Sequence, residues 1–320
     1  MIADIPRELQ GVDFALIRFQ LEFQDSFRVG REVLLCLRRD LLQAARLALS
    51  RNASSTEGID RFSALFEPPL PVDPVALRRH QRPGAPFALL PEACGAGEYE
   101  AGDLLDLKVA FLGAGIQSLG DFARTLRVLG RLGLHRGEGS FELAAIIAED
   151  AAGNCSRIWR EGEDLENLAP PLCNACWWLE ADLPGGGCID MEFMTPARLL
   201  SRRKPLFRPS FEKLFPFILR RVTSMMYSHC GVEFSMEAQT LLQAAARVDT
   251  PVNLLHWEDW KTLTGEEKDQ DLGGVSGLLS LEGDALGEIL WVLKLGSLMN
   301  IGKNASFGAG HYRLRCPDEG

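Results

Sequence analysis

The sequence predicts an α+β fold of two tandem ferredoxin-like (RRM-like) domains, each an antiparallel sheet with helices on one face. Three observations carry this reading. Alternating strands open both halves of the chain, at Val12–Phe23 and around Ile189–Thr195. Amphipathic helical stripes follow each of them. The order strand, helix, strand, strand, helix, strand then runs through each half, which is the split βαβ arrangement. A chain of 320 residues suits two domains of about 150 residues each. The boundary falls near residue 160, giving an N-terminal domain at 1–160 and a C-terminal domain at 161–320.

In the first half, Ala15, Ile17, Phe19, Leu21 and Phe23 face one way while Arg18, Gln20 and Glu22 face the other. The next segment puts Leu34, Leu37, Leu41, Ala45 and Leu49 on one helical stripe. Arg51 to Gly84 is polar and proline-rich and reads as a connection. A short strand near Pro86–Pro91 and a stronger one at Asp103–Gly113 come next. The helix from Ile116 to Gly133 buries Leu119, Phe122, Leu126 and Leu129, and Ser140–Glu149 closes the set as a strand.

In the second half, Ile189, Met191 and Phe193 point inward on a strand ending at Thr195-Pro196. A helix over Phe211–His229 has Leu214, Ile218, Val222 and Met225 on its buried stripe, with Pro216 near its start. Pro251–Trp260 and Gly273–Gly283 supply the middle strands, Ala285–Ser297 the second helix, and Ala305–Cys316 the last strand. Met236–Arg247 is an additional helix.

Composition narrows the function classes. Hydrophobic content of 46% and charged content of 24% belong to an ordinary globular protein. No apolar run reaches the roughly 18 residues of a membrane span, and the charged start is unlike a signal peptide. A cytoplasmic protein with reduced thiols is expected, because eight cysteines come without a secretion signal. The net charge of −10 opposes nucleic-acid binding by the body as a whole. Its distribution is uneven, however. Arg198 to Arg221 carries Arg198, Arg202, Arg203, Lys204, Arg208, Lys213, Arg220 and Arg221 against Glu212, whereas Glu258 to Asp271 is acidic. A polyanion-facing surface on an acidic body accounts for both.

The Gly-Lys at Gly302-Lys303 invites comparison with a nucleotide-binding loop. The spacing from Gly296 is one residue too long, and Asn304 stands where a magnesium-binding hydroxyl belongs. A free nucleotide is therefore excluded as partner, and no cofactor is implied. Elsewhere, Arg124, Arg127 and Arg131 recur along one edge of their helix with Arg136 just beyond it, a row suited to successive phosphates. His80 sits among Arg78, Arg79 and Arg82, whose charges favour the neutral, proton-accepting imidazole. His135, beside Arg136, competes with it. His256, in an apolar strand, reads as core. Cys173 and Cys176 form a single CxxC that with Cys155 and Cys188 offers four thiolates for zinc. Trp177-Trp178 immediately after it suggests packing instead, and no metal site is assigned.

Several blocks carry a family resemblance: Leu129–Leu143, Asp190–Leu199 with the basic stretch after it, His256–Trp260, Gly273–Asp284 and Ile301–Leu314. In their order and spacing they resemble the RAMP superfamily of CRISPR-associated RNA-binding proteins, and within it the precursor-crRNA-processing endoribonucleases, the sixth Cas family. The resemblance implies a metal-independent cut in CRISPR repeat RNA, with the ribose 2′-OH attacking the adjacent phosphodiester to leave a 2′,3′-cyclic phosphate. It also implies that the crRNA product or other Cas effector-complex subunits are partners. On that basis Arg124, Arg127, Arg131, Arg136, Arg202, Arg203, Lys204 and Arg208 are expected to hold phosphates. Gly302, Lys303, Gly308 and Gly310 are expected to lie close to RNA backbone, where bare glycine permits close approach. His80 is the expected general base, with His135 in reserve. The family's usual first-helix histidine is absent from Arg31–Ser50, so the alternative is a catalytically silent RAMP subunit that binds repeat RNA.

Overall fold

The structure, a computed structural model, describes residues 5–49, 56–70, 83–91, 96–166, 168–182, 187–259 and 273–317. His80 and the acidic run after Asp259 lie outside the described residues. The chain divides into two compact units. One holds the described residues from Asp13 to Cys173, the other those from Asn174 onward together with the N-terminal turn Arg7–Gly11. The sequence put the boundary near residue 160.

The first unit is built on β1 (Asp13–Phe23), β3 (Phe87–Leu90), β5 (Leu104–Leu112), β6 (Phe141–Glu149) and β7 (Cys155–Arg160), in the order β3-β5-β1-β6-β7. Every described pairing among them is antiparallel. Without its edge strand β7, this is the strand order of a ferredoxin-like sheet. Its helices are α1 (Arg31–Leu49), α2 (Thr56–Phe66) and α3 (Leu119–Leu132). A separate two-stranded ribbon joins β2 (Phe27–Val29) to β4 (Gly97–Tyr99), and β8 (Cys173–Asn174) pairs with β1.

Burial follows the predicted stripes. Leu37, Leu41, Ala45 and Leu49 on α1 are buried, as are Leu119, Phe122, Leu126 and Leu129 on α3. The side chain of Leu34 lies outside the described ones. At the centre, Phe122 meets Phe19, Phe66, Phe87 and Phe111 with ring centroids 5.3, 6.4, 5.0 and 5.4 Å away. One aromatic hub thus ties two helices to three strands.

The stretch read as a mere connection contains α2. Its Phe62 and Phe66 stack at 5.7 Å and Leu65 and Phe66 are buried. The prolines from Pro68 onward dominated the composition of that stretch and masked a short helical stripe.

The second unit repeats the plan with β9 (Cys188–Ala197), β12 (Asp249–Asn253), β14 (Gly274–Glu282) and β15 (Tyr312–Arg315), ordered β12-β14-β9-β15 and antiparallel throughout. β13 (His256–Glu258) continues along β14 after a break at Leu254-Leu255, so the single strand expected over Pro251–Trp260 is two short ones. The helices are α4 (Ala175–Asp182), α5 (Phe211–Cys230), α6 (Ala238–Ala245) and α7 (Leu286–Met299). α7 is apolar nearly all round and accordingly buried nearly all round. The additional helix α6 packs on both α5 and α7. Pro216 is accommodated inside α5 near its N-terminal end, and the helix continues to Cys230. Both units are thus α+β, with antiparallel sheets in ferredoxin-like order.

The last strand is shorter than the sequence suggested. Ala305–Phe307 forms a 3-10 turn, and only Tyr312–Arg315 pairs with β9. His256 is exposed, not core, because β13 lies at the sheet's edge and turns that ring outward.

Replacing Phe122 by Ala is expected to destabilise the first unit by about 4 kcal/mol, since it opens a cavity against four rings. Urea unfolding of wild type and variant checks this.

Candidate nucleic-acid interface

The glycine-rich segment between α7 and β15 is held by backbone on both sides. The amide of Lys303 donates to the Arg198 carbonyl at 3.0 Å, and that of Gly310 donates to the Pro196 carbonyl at 3.0 Å. Ile301 N–H reaches the Gly310 carbonyl at 3.1 Å. Gly302 has φ +89°, and a Cβ there would lie 2.7 Å from the Arg198 carbonyl oxygen. Gly310 has φ +67°, and a Cβ there would collide with the Ile301 carbonyl oxygen. Both glycines are therefore required by this chain's own backbone. Approach by an RNA backbone is not needed to account for them. Gly308 is buried, and its carbonyl accepts the Thr195 hydroxyl at 2.6 Å. Of the four loop residues expected near RNA, Lys303 is a cation with an exposed side chain.

Three polar side chains lock the same segment. Asn300 donates its amide to the Ala305 carbonyl at 2.9 Å, leaving its oxygen to take the Nδ1 hydrogen of His311 at 2.8 Å. Thr195 accepts the His311 amide at 2.9 Å. Arg221 on α5 donates to the Met299 carbonyl at 3.2 and 3.1 Å and to the Ser306 hydroxyl at 3.0 Å, satisfying the C-terminal end of α7. Burial pushes the Arg221 guanidinium down to about 10, which leaves it charged at neutral pH. Arg221 thus leaves the basic surface inferred from the sequence and becomes an internal clamp. His311 belongs to the same internal lock and is 5% exposed.

Directly after Arg198 the chain makes a tight hairpin, β10 (Leu200–Ser201) with β11 (Lys204–Pro205). Its two turn residues are Arg202 and Arg203, at φ 49° and 66°. Both central positions of such a turn favour Asn or Gly, because a side chain with positive φ is strained. Arg202, Arg203, Lys204 and Arg208 are all exposed. Arg208 also donates to the Asn253 carbonyl at 2.9 Å, and Asn253 donates back to the Pro209 carbonyl at 3.2 Å. These bonds fix the exit of the hairpin against β12.

In the first unit, the arginine row on α3 is divided. Arg124 is drawn into an ion-pair cluster at the surface, 2.8 Å from Asp121 and 3.5 Å from Glu166, with Arg61 3.7 Å from the same Asp121. The helical spacing of the row is as read; the acid one turn earlier on α3 takes its first member. Arg127, Arg131 and Arg136 are exposed. Arg136 and Gly137 form a two-residue hairpin turn closed by His135 N–H to Glu138 O (3.2 Å) and its reciprocal (2.9 Å). Arg136 has φ 53° there. His135 is half-buried beside it.

The open faces of both sheets are occupied by internal pairs. Lys108 lies 2.8 Å from Glu149 and Arg18 3.6 Å from Asp106 in the first. In the second, Arg313 donates twice to Glu192, at 2.8 and 2.6 Å, and Ser280 to Asp190 at 2.6 Å. RRM domains stack bases on aromatics at this face. Here the polar side chains named above are paired with one another, and the exposed cations of the sequence-predicted set lie on the hairpin, the loops and α3.

The cysteines go to separate tasks. Cys173 is buried, with its thiol against the Glu149 carbonyl at 3.6 Å. Burial, with Asp150 and Glu149 nearby, pushes it up to about 11, the opposite of a thiolate ligand. Cys176 lies 3.7 Å from Glu180, and its pKa is raised by burial and that carboxylate. Cys155 is exposed on β7, and Cys188 begins β9. Among the described residues no group of three or more His, Cys, Asp or Glu is placed to hold a metal. Of the two tryptophans, Trp178 packs under Lys294 at 5.0 Å, but Trp177 is 71% exposed. The packing role read for the pair holds for one member.

Residues 191–312, spanning β9, the hairpin and the glycine-rich segment, match the family model described as the CRISPR-associated endoribonuclease Cas6. That part of the chain is similar to the Cas6 family. This match supports the resemblance read from the sequence. Residues 52–171 match a second model, described as an N-terminal domain. Among curated proteins nothing matches. Solved structures share the fold. A Thermus thermophilus Cas6 (TTHB231) in a product complex superposes with a TM-score of 0.51 at 17% identity, over 94% of this chain and 100% of that one. A chain of a partial Cas6-RT-Cas1–Cas2 complex gives 0.53 at 14% identity, over 98% of this chain and 47% of that one. The present chain thus spans less than half of that longer Cas6-containing chain. No described helix is long and apolar enough to cross a membrane.

Replacing Arg221 by Met is expected to cost about 2 kcal/mol by removing charged hydrogen bonds to the end of α7. Amide hydrogen exchange should speed up at Ile301, Lys303 and Gly310 before the rest of the unit.

Proposed function

We propose that the protein is a Cas6-type endoribonuclease that cuts CRISPR repeat RNA without a metal and yields crRNAs. The observation that carries this reading is the Cas6-family match across 191–312, which includes the arginine-tipped hairpin and the loop that anchors it. The family supports processing or binding of CRISPR repeat RNA; the cut itself is our proposal.

In that reaction a base removes the 2′-OH proton, O2′ attacks the adjacent phosphorus, and the P–O5′ bond breaks. The departing 5′-oxygen takes a proton, leaving a 2′,3′-cyclic phosphate and a 5′-OH. Atoms and charge balance with no metal and no external nucleophile. We assign the base to His80, flanked by three arginines in sequence, with His135 as the second candidate on its hairpin turn. Arg202, Arg203, Lys204, Arg208 and Lys303 in one unit, and Arg127, Arg131 and Arg136 in the other, are assigned to RNA phosphates. Arg124, committed to Asp121 and Glu166, supports its helix. The domain limits of 1–160 and 161–320 are kept as a proposal for where the two RNA-facing halves meet in sequence.

A second reading rests on one observation: α1 and its flanks, Arg31–Ser50, hold no histidine. On it, the protein binds repeat RNA within a Cas effector complex without cutting.

Incubating the full chain with its cognate repeat RNA in EDTA separates the two. We expect a product ending in a cyclic phosphate, and a loss of roughly 10²–10⁴-fold in rate for His80→Ala. Tight binding with the RNA left intact selects the silent subunit. A loss confined to His135→Ala transfers the base to that residue. Replacing Arg202 and Arg203 together by Ala should weaken binding and flatten the salt dependence, by about 0.7–0.9 in log–log slope per lost phosphate contact.

A further inference from the structure

We infer that Phe207 and Trp257 form a stacking platform for one unpaired nucleotide of the bound RNA, with the arginine hairpin holding the phosphates beside it. The inference rests on the proposed RNA-binding reading and deepens it, since it assigns a base-recognising site to residues that carry no charge.

Phe207 is 59% exposed although it is a large aromatic, a placement that hydrophobic burial disfavours by itself. It is not loose. Its ring meets that of Trp257 at 4.9 Å between centroids and 56° between planes. The residue after it, Arg208, is tied to Asn253, and Asn253 is tied in turn to Pro209. Asn253 also accepts the Leu255 amide at 3.1 Å, so the same side chain shapes the bend from β12 to β13. On the other side, the Leu206 amide donates to the Leu199 carbonyl at 3.0 Å, continuing the ladder of the hairpin. An exposed phenyl ring is thus pre-set at the junction of two anchored segments. Ordering it on binding costs little, which is the condition for a productive stack.

Charge decides the occupant. Arg202, Arg203, Lys204 and Arg208 lie within a few residues of Phe207 and are exposed. Of the acids beside Trp257, Glu258 accepts the Ser276 hydroxyl at 2.8 Å, and Asp259 is exposed. A flat π surface within five residues of four exposed cations fits a nucleotide, whose base is flat and whose phosphates are anionic. A paired base has its faces covered by neighbours, so the site selects an unpaired one. Trp177 is more exposed still, but the charged residues of its helix are the acids Glu180 and Asp182, and that environment repels phosphate.

The test couples base to ring. A series of repeat RNAs, each with one unpaired position made abasic, is titrated against the full-length wild type, Phe207→Ala and Phe207→Trp at two salt concentrations. We expect one abasic position to weaken wild-type binding by roughly ten- to hundred-fold, the range of one base–aromatic stack. That loss should vanish in Phe207→Ala and persist in Phe207→Trp. A merely structural ring would weaken every RNA alike and show no such coupling. If the wild type binds RNA with a steep salt dependence but no position couples to Phe207, the platform is wrong and the RNA-binding reading survives. If the wild type binds none of the RNAs at either salt concentration, both fall, and the aromatic pair is then a protein-docking surface. Thermal melts of both variants, expected unchanged for so exposed a ring, exclude unfolding as the cause.

Discussion

The second unit depends on two backbone hydrogen bonds, from Lys303 to Arg198 and from Gly310 to Pro196. They fasten the segment between α7 and β15 across the end of β9. The hairpin bearing Arg202 and Arg203 leaves β9 at that point, so its root is fixed by the glycine-rich segment. The approach is too close for a side chain at Gly302 or Gly310. Arg221, Asn300, Thr195 and His311 then surround the junction with hydrogen bonds that leave the loop one arrangement. The glycines and the arginines are two ends of one device, in which bare backbone anchors the base of a strained, charged tip.

That strain has a physical reading. Positive φ at two arginines disfavours the turn by itself, and an Asn-Gly pair would form it more readily. Such outliers persist where the surrounding structure over-determines them, and they concentrate at binding sites. The anchored root supplies the over-determination here. The turn of Arg136 and Gly137 in the first unit shows the same device on a smaller scale, with Arg136 at φ 53°. In both units the residues at positive φ include arginine, where a stability argument alone would place glycine or asparagine.

Much of the fold was legible in the sequence, because it rests on periodicity. The alternation in β1 and β9 and the stripes on α3 and α5 specify which faces are buried, and strand order follows from the split βαβ plan. Short elements were hidden where composition outweighed period: α2 behind its prolines, α4 behind the cysteines, and the β2–β4 ribbon, too brief to show alternation. The site was legible as residue types but not as roles. Lys303, Arg202 and Arg203 emerge as exposed cations, yet nothing in the spacing shows that Arg221 turns inward or that Asp121 claims Arg124. Those outcomes depend on which carbonyls and carboxylates the fold brings near, and a linear pattern does not contain that. Phe207 was missed for the same reason, since only its partner Trp257 and the anchor at Asn253 distinguish it from a core residue.

The net charge of −10 bears on how such a surface works. At physiological salt the Debye length is about 8 Å. Phosphates touching the hairpin tip therefore feel Arg202 and Arg203 strongly and the distant acids weakly. On the proposed reading, an RNA that reaches neither the hairpin nor the exposed arginines of the first unit meets sheet faces whose cations Arg18, Lys108 and Arg313 are already paired with carboxylates. Sequence-independent phosphate contacts supply most non-specific affinity, and the proposed reading assigns them to small basic patches. On that reading, binding also draws on what those patches add beyond charge: the fixed geometry of the tip and the exposed ring of Phe207. An acidic body with a few rigid basic projections is thus a way to raise the ratio of specific to non-specific binding.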